Sequence, residues 1–276
     1  MNEWRPLLTT YAYNITGSLE EARDIVQDAF LKFIPVDSDR IEDKKNYLIR
    51  TVINLAINAK KRQQKTISEY PGPWLPEPVA TERADAGIVQ EEVLSYSLMV
   101  LLEKLNVKQR AVFILKEAFD YDHEEIAAVL DISTDNSRKL LSRAKEQLHK
   151  GEKITKHPVP ADFVNKYLTV IQLGDAKQLE QFLHDEITLI SDGGGKAVAT
   201  TRPLLGMHRV TTFLQGVYNK TYRVLRAEVR QINHEPAILY YHGDQLVTCM
   251  VLSIENDRVE HFYFMRNPDK LRLLQK

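Results

Sequence analysis

The sequence DHEEIAAVLDISTDNSRKLLSRAKEQLHK, residues 122–150, decides the fold of the middle of the chain. Asp122 and Glu125 have the spacing of a capping box, which predicts the start of a short helix. Asp131-Ile132-Ser133 predicts a turn, although aspartate adopts the left-handed backbone of such turns less readily than glycine does. A second helix with a basic outer face follows. The segment is therefore typical of a helix-turn-helix, whose second helix enters the major groove of DNA.

The outer face of that second helix carries side chains suited to DNA. Arginine binds guanine edges and phosphates through its planar fork, and lysine binds phosphates as a point charge. The alternative is a surface helix whose basic face is only solvated. The candidate contacts are Asn136, Ser137, Arg138, Lys139, Ser142 and Arg143.

Two longer helices are predicted near the start of the chain. Ser18 and Glu21 have the spacing of another capping box, and the apolar residues behind it recur at helical intervals up to Phe33. After a break at residues 35–40, a second helix is predicted over residues 44–64, with basic residues at its end. The apolar residues of both helices predict one buried face on each.

Proline-rich stretches divide the chain. The sequence YPGPWLPEP, residues 70–78, holds four prolines and one glycine. A helix or a central strand does not tolerate this composition, so it predicts an extended linker. The predicted organisation has domains at residues 1–66, 90–151 and 161–276, joined by linkers at residues 67–89 and 152–160.

The last domain has a different pattern of apolar residues. Two helices are predicted first, and the second of them includes Phe182 and Leu183. Segments of period two follow, and in the first of these Leu225, Ala227 and Val229 are expected to face the core. Helices followed by a curled sheet indicate an α+β domain. The predicted strands are residues 222–232, 237–241, 246–254 and 258–265.

Composition limits the class of protein. The 37 Lys and Arg residues nearly balance the 38 Asp and Glu residues, so attraction to nucleic acid must come from local basic patches. The single cysteine, Cys249, excludes an intrachain disulfide framework and fits a reducing compartment. No apolar run has the length of a membrane span, and the N-terminus is unlike a signal peptide. We therefore expect a cytoplasmic protein with no membrane partner, and we predict no metal or cofactor site.

Read together, the helical segments resemble the extracytoplasmic-function (ECF) sigma factors of bacterial RNA polymerase. GSLEEARDIVQDAFL, residues 17–31, is similar to the polymerase-binding helix of sigma region 2. YLIRTVINLAIN, residues 47–58, is similar to the helix that melts and reads the −10 element, with Tyr47 where family members more often have tryptophan. LNVKQRAVF, residues 105–113, and the helix-turn-helix are similar to region 4, which reads the −35 element.

The resemblance implies roles for individual residues. A melted strand is held by aromatic stacking and by hydrogen bonds to splayed bases, while cations hold its phosphates. Ordinary solvated polarity of a helix surface is the alternative for these side chains. The implied −10 contacts are Tyr47, Arg50, Asn54, Asn58, Lys60, Lys61 and Arg62. The implied contacts with core RNA polymerase are Asp24, Gln27 and Asp28.

Three further segments are similar to the signatures of one ECF group. They are WLPEP at residues 74–78, DGGGK at 192–196 and NPDKL at 267–271. Members of this group carry a fused SnoaL-like domain of the nuclear-transport-factor-2 fold. The resemblance thus implies two all-α sigma domains, a region 2 bundle and a region 4 helix-turn-helix, followed by an α+β domain.

That third domain is expected to regulate the other two in place of a separate anti-sigma factor. The implied partners are core RNA polymerase, promoter DNA and a small ligand of unknown chemistry in the C-terminal pocket. The candidate regulatory contacts between domains are Trp74, Leu75, Pro76, Asp192, Lys196, Asn267, Pro268, Asp269 and Lys270.

Two alternatives stay open. A helix-turn-helix regulator with a ligand-sensing domain would not need the helix at residues 17–31. An isomerase or cyclase of the SnoaL-like type would need an acid or base in its pocket, for which Asp192, His208 and His261 are candidates. The glycines of residues 193–195 lack the spacing of a P-loop, and a tight turn between strands explains them.

Overall fold

A computed structural model describes residues 2–34, 41–67, 69–82, 87–148 and 161–275. These residues fall into two compact units. The helical unit comprises residues 2–34, 41–67, 87–94 and 98–148, and the α+β unit comprises residues 69–82, 95–97 and 161–275. The predicted break at 35–40, the end of the helix at 149–150 and the linker at 152–160 lie outside the described residues.

Three mutually packed helices form the first part of the helical unit: α1 (Arg5–Thr16), α2 (Leu19–Phe33) and α3 (Lys44–Ile67). Gly17 ends α1 with a left-handed backbone (φ 78°), a conformation that glycine adopts without steric cost. The Ser18 side chain then accepts a hydrogen bond from the Glu21 amide (3.2 Å) and starts α2. Helix α3 continues three residues beyond its predicted end at Gln64.

Four further helices complete the sigma-like part of the chain: α4 (Tyr96–Leu101), α5 (Val107–Phe113), α6 (His123–Leu130) and α7 (Thr134–Leu148). The predicted capping box at Asp122 is present, with both of its hydrogen bonds. Asp131 adopts the left-handed conformation that the turn requires (φ 53°). A single π-helical turn over Ile114–Ala118, which the sequence did not indicate, follows α5.

The α+β unit contains a six-stranded sheet in the order β2-β1-β6-β5-β4-β3. Strands β1 and β6 are parallel, and all other neighbours are antiparallel. Helices α8 and α10 supply buried side chains, among them Tyr167 and Leu214, to a core shared with sheet residues such as Phe262. The elements are α8 (Ala161–Leu173), α9 (Ala176–Gln181), β1 (Leu183–Asp192), β2 (Leu204–Leu205), α10 (Met207–Lys220), β3 (Arg226–Ile232), β4 (Glu235–His242), β5 (Gln245–Glu255), β6 (Arg258–Met265) and α11 (Pro268–Leu271).

The predicted fold class, helical domains followed by an α+β domain, is confirmed. Two details were wrong. Helix α9 stops before Phe182, and Leu183 already belongs to β1. Strand β3 begins at Arg226, and it exposes Ala227 and Val229 instead of burying them. The opposite face of β3 is the covered one, because on that face Arg230 forms ion pairs with Glu228 and with Glu82 of the linker.

Among the described residues, no helix is both long enough and apolar enough to cross a membrane. Cys249 is buried in β5.

Candidate functional site

Helix α7 presents five of the six predicted −35 contacts to solvent. They lie on the side opposite the buried Leu141, Ala144 and Leu148, as the spacing of the apolar residues requires. Arg138 makes an exposed ion pair with Asp135, one turn away (3.3 Å), and its side chain is 60% exposed at the surface. The exposed five are Asn136, Arg138, Lys139, Ser142 and Arg143.

Ser137 is a correction to the prediction. Its side chain is fully buried, and Oγ lies 2.9 Å from Nδ1 of His123 on α6. The cause is its position four residues before Leu141, which places it on the buried stripe of α7. Ser137 therefore joins the two helices of the motif and does not face DNA. Burial, together with the cations Arg138 and Lys116, lowers the pKa of His123.

The predicted −10 side chains meet at a groove in the helical unit. Tyr47, Arg50, Asn54 and Asn58 line a cavity of about 380 Å³. Their spacing along α3 is three or four residues, which puts them on one face of the helix. Thr51 and Leu55 of α3 and Lys32 of α2 complete the lining, so no acidic side chain among the described residues takes part. Helical spacing would have found Thr51 and Leu55, but Lys32 comes from another helix and has no signal in the sequence.

The aromatic and amide groups of this groove are differently engaged. The Tyr47 ring is 37% exposed and tilts against Phe33, with centroids 5.7 Å apart, so one part of the ring is open for stacking. The Asn54 amide donates to the carbonyls of Arg50 (2.9 Å) and of Val129 on α6 (3.1 Å). Asn58 is exposed.

The basic end of α3 is only partly available to phosphates. Lys61 and Arg62 are exposed, but Lys60 is fully buried, which corrects its predicted role. The Lys60 ammonium donates to the carbonyl of Thr16 (3.0 Å) and to the Glu103 carboxylate (2.8 Å). Glu103 also pairs with the buried Arg110. Lys60 is thus part of a buried ion cluster, comprising Lys60, Glu103 and Arg110, in the interior of the helical unit.

Helix α2 exposes all three predicted polymerase contacts. Asp24, Gln27 and Asp28 lie on the surface, opposite the buried Ile25, Val26 and Ala29. The same helix ends with two exposed apolar side chains, Leu31 (57%) and Ile34 (69%).

In the α+β unit, the linker residues Tyr70, Trp74 and Leu75 meet Asp192 and Lys270. We call these five residues the linker anchor. Asp192, fully buried at the end of β1, accepts from the Tyr70 hydroxyl (2.6 Å), the Leu75 amide (2.9 Å) and the Lys270 ammonium (2.7 Å). Lys270 also donates to the Leu75 carbonyl (2.5 Å) and lies 4.1 Å from the centre of the Trp74 ring.

Burial and hydrogen bonding explain why the five residues of the linker anchor bind one another strongly. The unpaired charge of either Asp192 or Lys270 would be costly in the interior, and each is the ionic partner of the other. Burial and the hydrogen bond to Asp192 both raise the pKa of Tyr70, which keeps its hydroxyl a donor. Tyr70 was not among the predicted residues, because an aromatic residue at the start of a proline-rich stretch has no distinctive pattern.

The glycines after Asp192 are required by close packing as well as by the turn. A Cβ on Gly193 would lie 2.1 Å from the carbonyl oxygen of Ala197. Gly194 has a left-handed backbone (φ 60°), and a Cβ there would lie 2.2 Å from Nδ2 of Asn267. The Asn267 amide in turn donates to the Tyr70 hydroxyl (3.0 Å). The DGGGK and NPDKL segments therefore touch, and the backbone amide of Asn267 also donates to the Asp192 carbonyl (3.0 Å).

The remaining predicted regulatory residues differ in burial. Pro76 is buried, and its carbonyl accepts from the Tyr96 hydroxyl (2.8 Å). Lys196 and Asp269 form an ion pair (2.5 Å), but both are more than half exposed. Pro268 is exposed and occupies the first turn of α11. The anchor is thus an interior cluster with one surface ion pair beside it.

The three candidate catalytic residues are differently engaged. Asp192 is used by the anchor, and His208 is exposed on α10. His261 lies 2.6 Å from the Thr188 hydroxyl. Thr188 is the partner of His261 in the pairing of β1 with β6, and Asp192 lies four residues further along β1. Asp192 and His261 are therefore about 13 Å apart along the strand direction. The described residues also hold no group of three or more His, Cys, Asp or Glu that could bind a metal ion.

Comparison with known proteins assigns the chain to a family. Residues 1–66 match the model of sigma-70 region 2, and residues 95–148 match that of sigma-70 region 4. The chain is 32% identical to the ECF RNA polymerase sigma factor SigJ of Mycobacterium tuberculosis over 223 residues, which cover 78% of this chain and 71% of SigJ. It is 22% identical to the probable ECF RNA polymerase sigma factor SigI of the same species over 97% of this chain and 92% of SigI.

The fold has a solved counterpart. The crystal structure of Mycobacterium tuberculosis SigJ superposes with a TM-score of 0.80 and 26% identity, covering 98% of this chain and 96% of SigJ. The similarity therefore includes the α+β part of the chain as well as the two sigma regions. The chain belongs to the ECF RNA polymerase sigma factors, which bind RNA polymerase and recognise promoters to initiate transcription.

Proposed function

We propose that the α+β unit regulates this sigma factor by binding the linker between regions 2 and 4, in place of a separate anti-sigma factor. The observation that carries the proposal is the buried Asp192–Lys270 pair, which holds the linker at Tyr70, Trp74 and Leu75. A chain segment held at several points has fewer conformations than a free one. The α+β unit therefore sets how many linker residues are free to separate regions 2 and 4.

We further propose the roles of the DNA-facing residues. At the groove, Tyr47 would stack on a splayed base, Asn54 and Asn58 would bind base edges, and Lys32 and Arg50 would hold phosphates. Lys61 and Arg62 would extend the phosphate contacts along the strand. Asp24, Gln27 and Asp28 would bind core polymerase, which places the protein in the cytoplasm. A small ligand of the C-terminal pocket stays a prediction.

The −35 surface gives a direct prediction. Arg138→Ala or Arg143→Ala should each reduce promoter output by about 5- to 150-fold, because a bidentate base contact contributes about 1–3 kcal/mol. Both side chains are exposed, so the melting temperature should stay within a few degrees. Run-off transcription and thermal denaturation measure the two effects. Ser137→Ala is the contrasting variant, which should affect folding more than base specificity. Full promoter output from both arginine variants would contradict the assignment of α7.

The regulatory proposal is tested by truncation. Run-off transcription with core polymerase alone should require the protein, and deletion of all residues after 156 should change the output several-fold. Trp74→Ala should change output in the same direction and should add nothing to the truncation, because both remove the same contact. A truncated protein that transcribes like the full chain would show that the α+β unit does not regulate.

A further inference from the structure

A second group of contacts holds the linker at the β3–β4 hairpin, away from the linker anchor. We infer that this hairpin is a separate docking site that fixes the distal end of the linker and the start of region 4. The inference rests on the proposed regulatory function, but none of its residues belongs to the WLPEP, DGGGK or NPDKL segments.

The linker forms a β-bridge with the sheet here. Strand β3 is the last strand of the sheet, and Ala80 pairs with Ile232 in antiparallel register on its outer edge. The Thr81 amide donates to the Gln231 carbonyl (3.2 Å), and the Asn233 amide donates to the Val79 carbonyl (2.9 Å). An exposed strand edge offers unpaired amides and carbonyls that an extended segment can satisfy.

Side chains of the hairpin make the pairing specific. Asn233 is fully buried in the turn, and its Oδ1 accepts from the Val79 amide (2.9 Å), so both polar groups of Val79 bind the same residue. The His234 amide donates to the Thr81 hydroxyl (3.0 Å). Arg230 pairs with Glu82, which adds an ion pair at the end of the strand.

The same hairpin holds the first residues of region 4. The Glu235 carboxylate, at the start of β4, accepts from both the amide (3.2 Å) and the hydroxyl of Ser97, in the first turn of α4. A carboxylate that accepts from the first amides of a helix is favourably placed. Beside it, the rings of Tyr96 and Tyr263 lie 5.5 Å apart. The hairpin thus binds residues 79–82 before the segment 83–94 and residues 95–97 after it. The match to region 4 begins at residue 95, so the second contact is made by the start of region 4.

This arrangement gives the hairpin a function that the linker anchor alone does not supply. The anchor holds residues 70–75, at the proximal end of the linker, and leaves its distal end undetermined. The hairpin holds residues 79–82 and 95–97. With both in place, the linker is held near its two ends, and release of one end frees only the residues at that end.

Two proline substitutions test the inference. Thr81→Pro removes the amide that binds Gln231 and the hydroxyl that binds His234, while every residue of the α+β domain after 161 stays unchanged. Ala80→Pro is the matched control, because proline is tolerated on a strand where its amide faces away from the ladder, and the Ala80 amide donates no hydrogen bond to the described part of the chain. Both are made in the full chain.

Hydrogen exchange should distinguish them. In Thr81→Pro, exchange of the Val79 and Asn233 amides should rise about 5- to 150-fold, the range expected for loss of two hydrogen bonds. In Ala80→Pro it should be unchanged. Equal protection in Thr81→Pro and the wild-type chain would overturn the docking site.

Promoter output separates this inference from the proposed function. Thr81→Pro should shift run-off transcription in the same direction as Trp74→Ala, with Ala80→Pro near wild type. If Thr81→Pro loses protection but transcribes like wild type while Trp74→Ala does not, the hairpin is structural only and the inference fails alone. If neither variant changes output, regulation by linker docking fails as well.

Discussion

Replacing Glu103 with alanine is expected to destabilise the helical unit by roughly 3–5 kcal/mol, the cost of leaving buried charges without their partner. Lys60 and Arg110 are both fully buried, and Glu103 is the carboxylate that pairs with each of them. Both cations also bind carbonyls near the end of α1. Lys60 donates to the Thr16 carbonyl, and Arg110 donates to the Asn14 carbonyl (2.9 Å). These carbonyls carry partial negative charge, but too little to replace a carboxylate.

The matched control is Glu117→Ala, in the same unit. Glu117 also forms an ion pair, with Lys145 at 2.7 Å, but both side chains are about one-third exposed or more. Exposed pairs contribute about 0–1 kcal/mol, so this variant should be nearly neutral. Urea unfolding, with hydrogen exchange of α1 and α5 as a local readout, measures the difference. Equal destabilisation by the two substitutions would show that the cluster has no special energetic role.

The pH dependence of the stability difference between wild type and Glu103→Ala gives an independent check. Burial acts to raise the pKa of Glu103, but Arg110 and Lys60 outweigh it, and the pKa lies below its usual value. A carboxyl whose pKa is lowered by folding stabilises the protein above the unfolded pKa, about 4.3, and loses that contribution as the pH falls through the folded pKa. The stability difference between wild type and Glu103→Ala should therefore be full near neutral pH and should shrink below about pH 4.

Lys60 shows what the sequence could and could not indicate. It stands in a basic run, Lys60-Lys61-Arg62, which reads as a solvated phosphate-binding end. Yet it follows Val52 and Ala56 at intervals of four, so helical spacing alone places it on the buried face of α3. That signal was present and was overridden by composition. Its partner Glu103 is 43 residues away, and only the folded chain brings the two together.

The C-terminal part shows a different limit. Period two correctly predicted strands near β4, β5 and β6, but it could not tell which face of β3 is covered. An edge strand with alternating small apolar and charged residues has two plausible faces. The ion pairs of Arg230 with Glu82 and Glu228 decide between them, and Glu82 lies in the linker, far along the chain. Similarly, the linker was predicted as an extended segment, but its strand pairing with β3 depends on residues more than 140 positions later.

Replacing Asp192 with alanine is expected to have the largest effect in the α+β unit. It would leave the Lys270 ammonium, 9% exposed, without its ionic partner and would remove the acceptor of the Tyr70 hydroxyl and the Leu75 amide. Breaking a buried ion pair in this way costs roughly 3–5 kcal/mol. Most of that cost can be avoided if the linker leaves and water reaches Lys270. We therefore expect release of residues 70–76, with the sheet intact.

Limited proteolysis of the linker and run-off transcription measure the release and its consequence. Asp192→Ala should be cleaved faster near residues 70–76 and should change promoter output as Trp74→Ala does. Lys196→Ala is the control, because its pair with Asp269 is exposed on both sides and should contribute about 0–1 kcal/mol.

The double variant decides whether Asp192 acts through the linker. If both substitutions remove the same contact, the double variant Asp192→Ala with Trp74→Ala should change promoter output no more than the single variant with the larger effect. Asp192→Ala combined with Lys270→Met should restore part of the stability that Asp192→Ala alone loses, since both buried charges are then removed. Promoter effects that add fully would mean that Asp192 and Trp74 act separately. An Asp192→Ala protein that keeps wild-type proteolysis and output would rule out the anchor as the point of regulation.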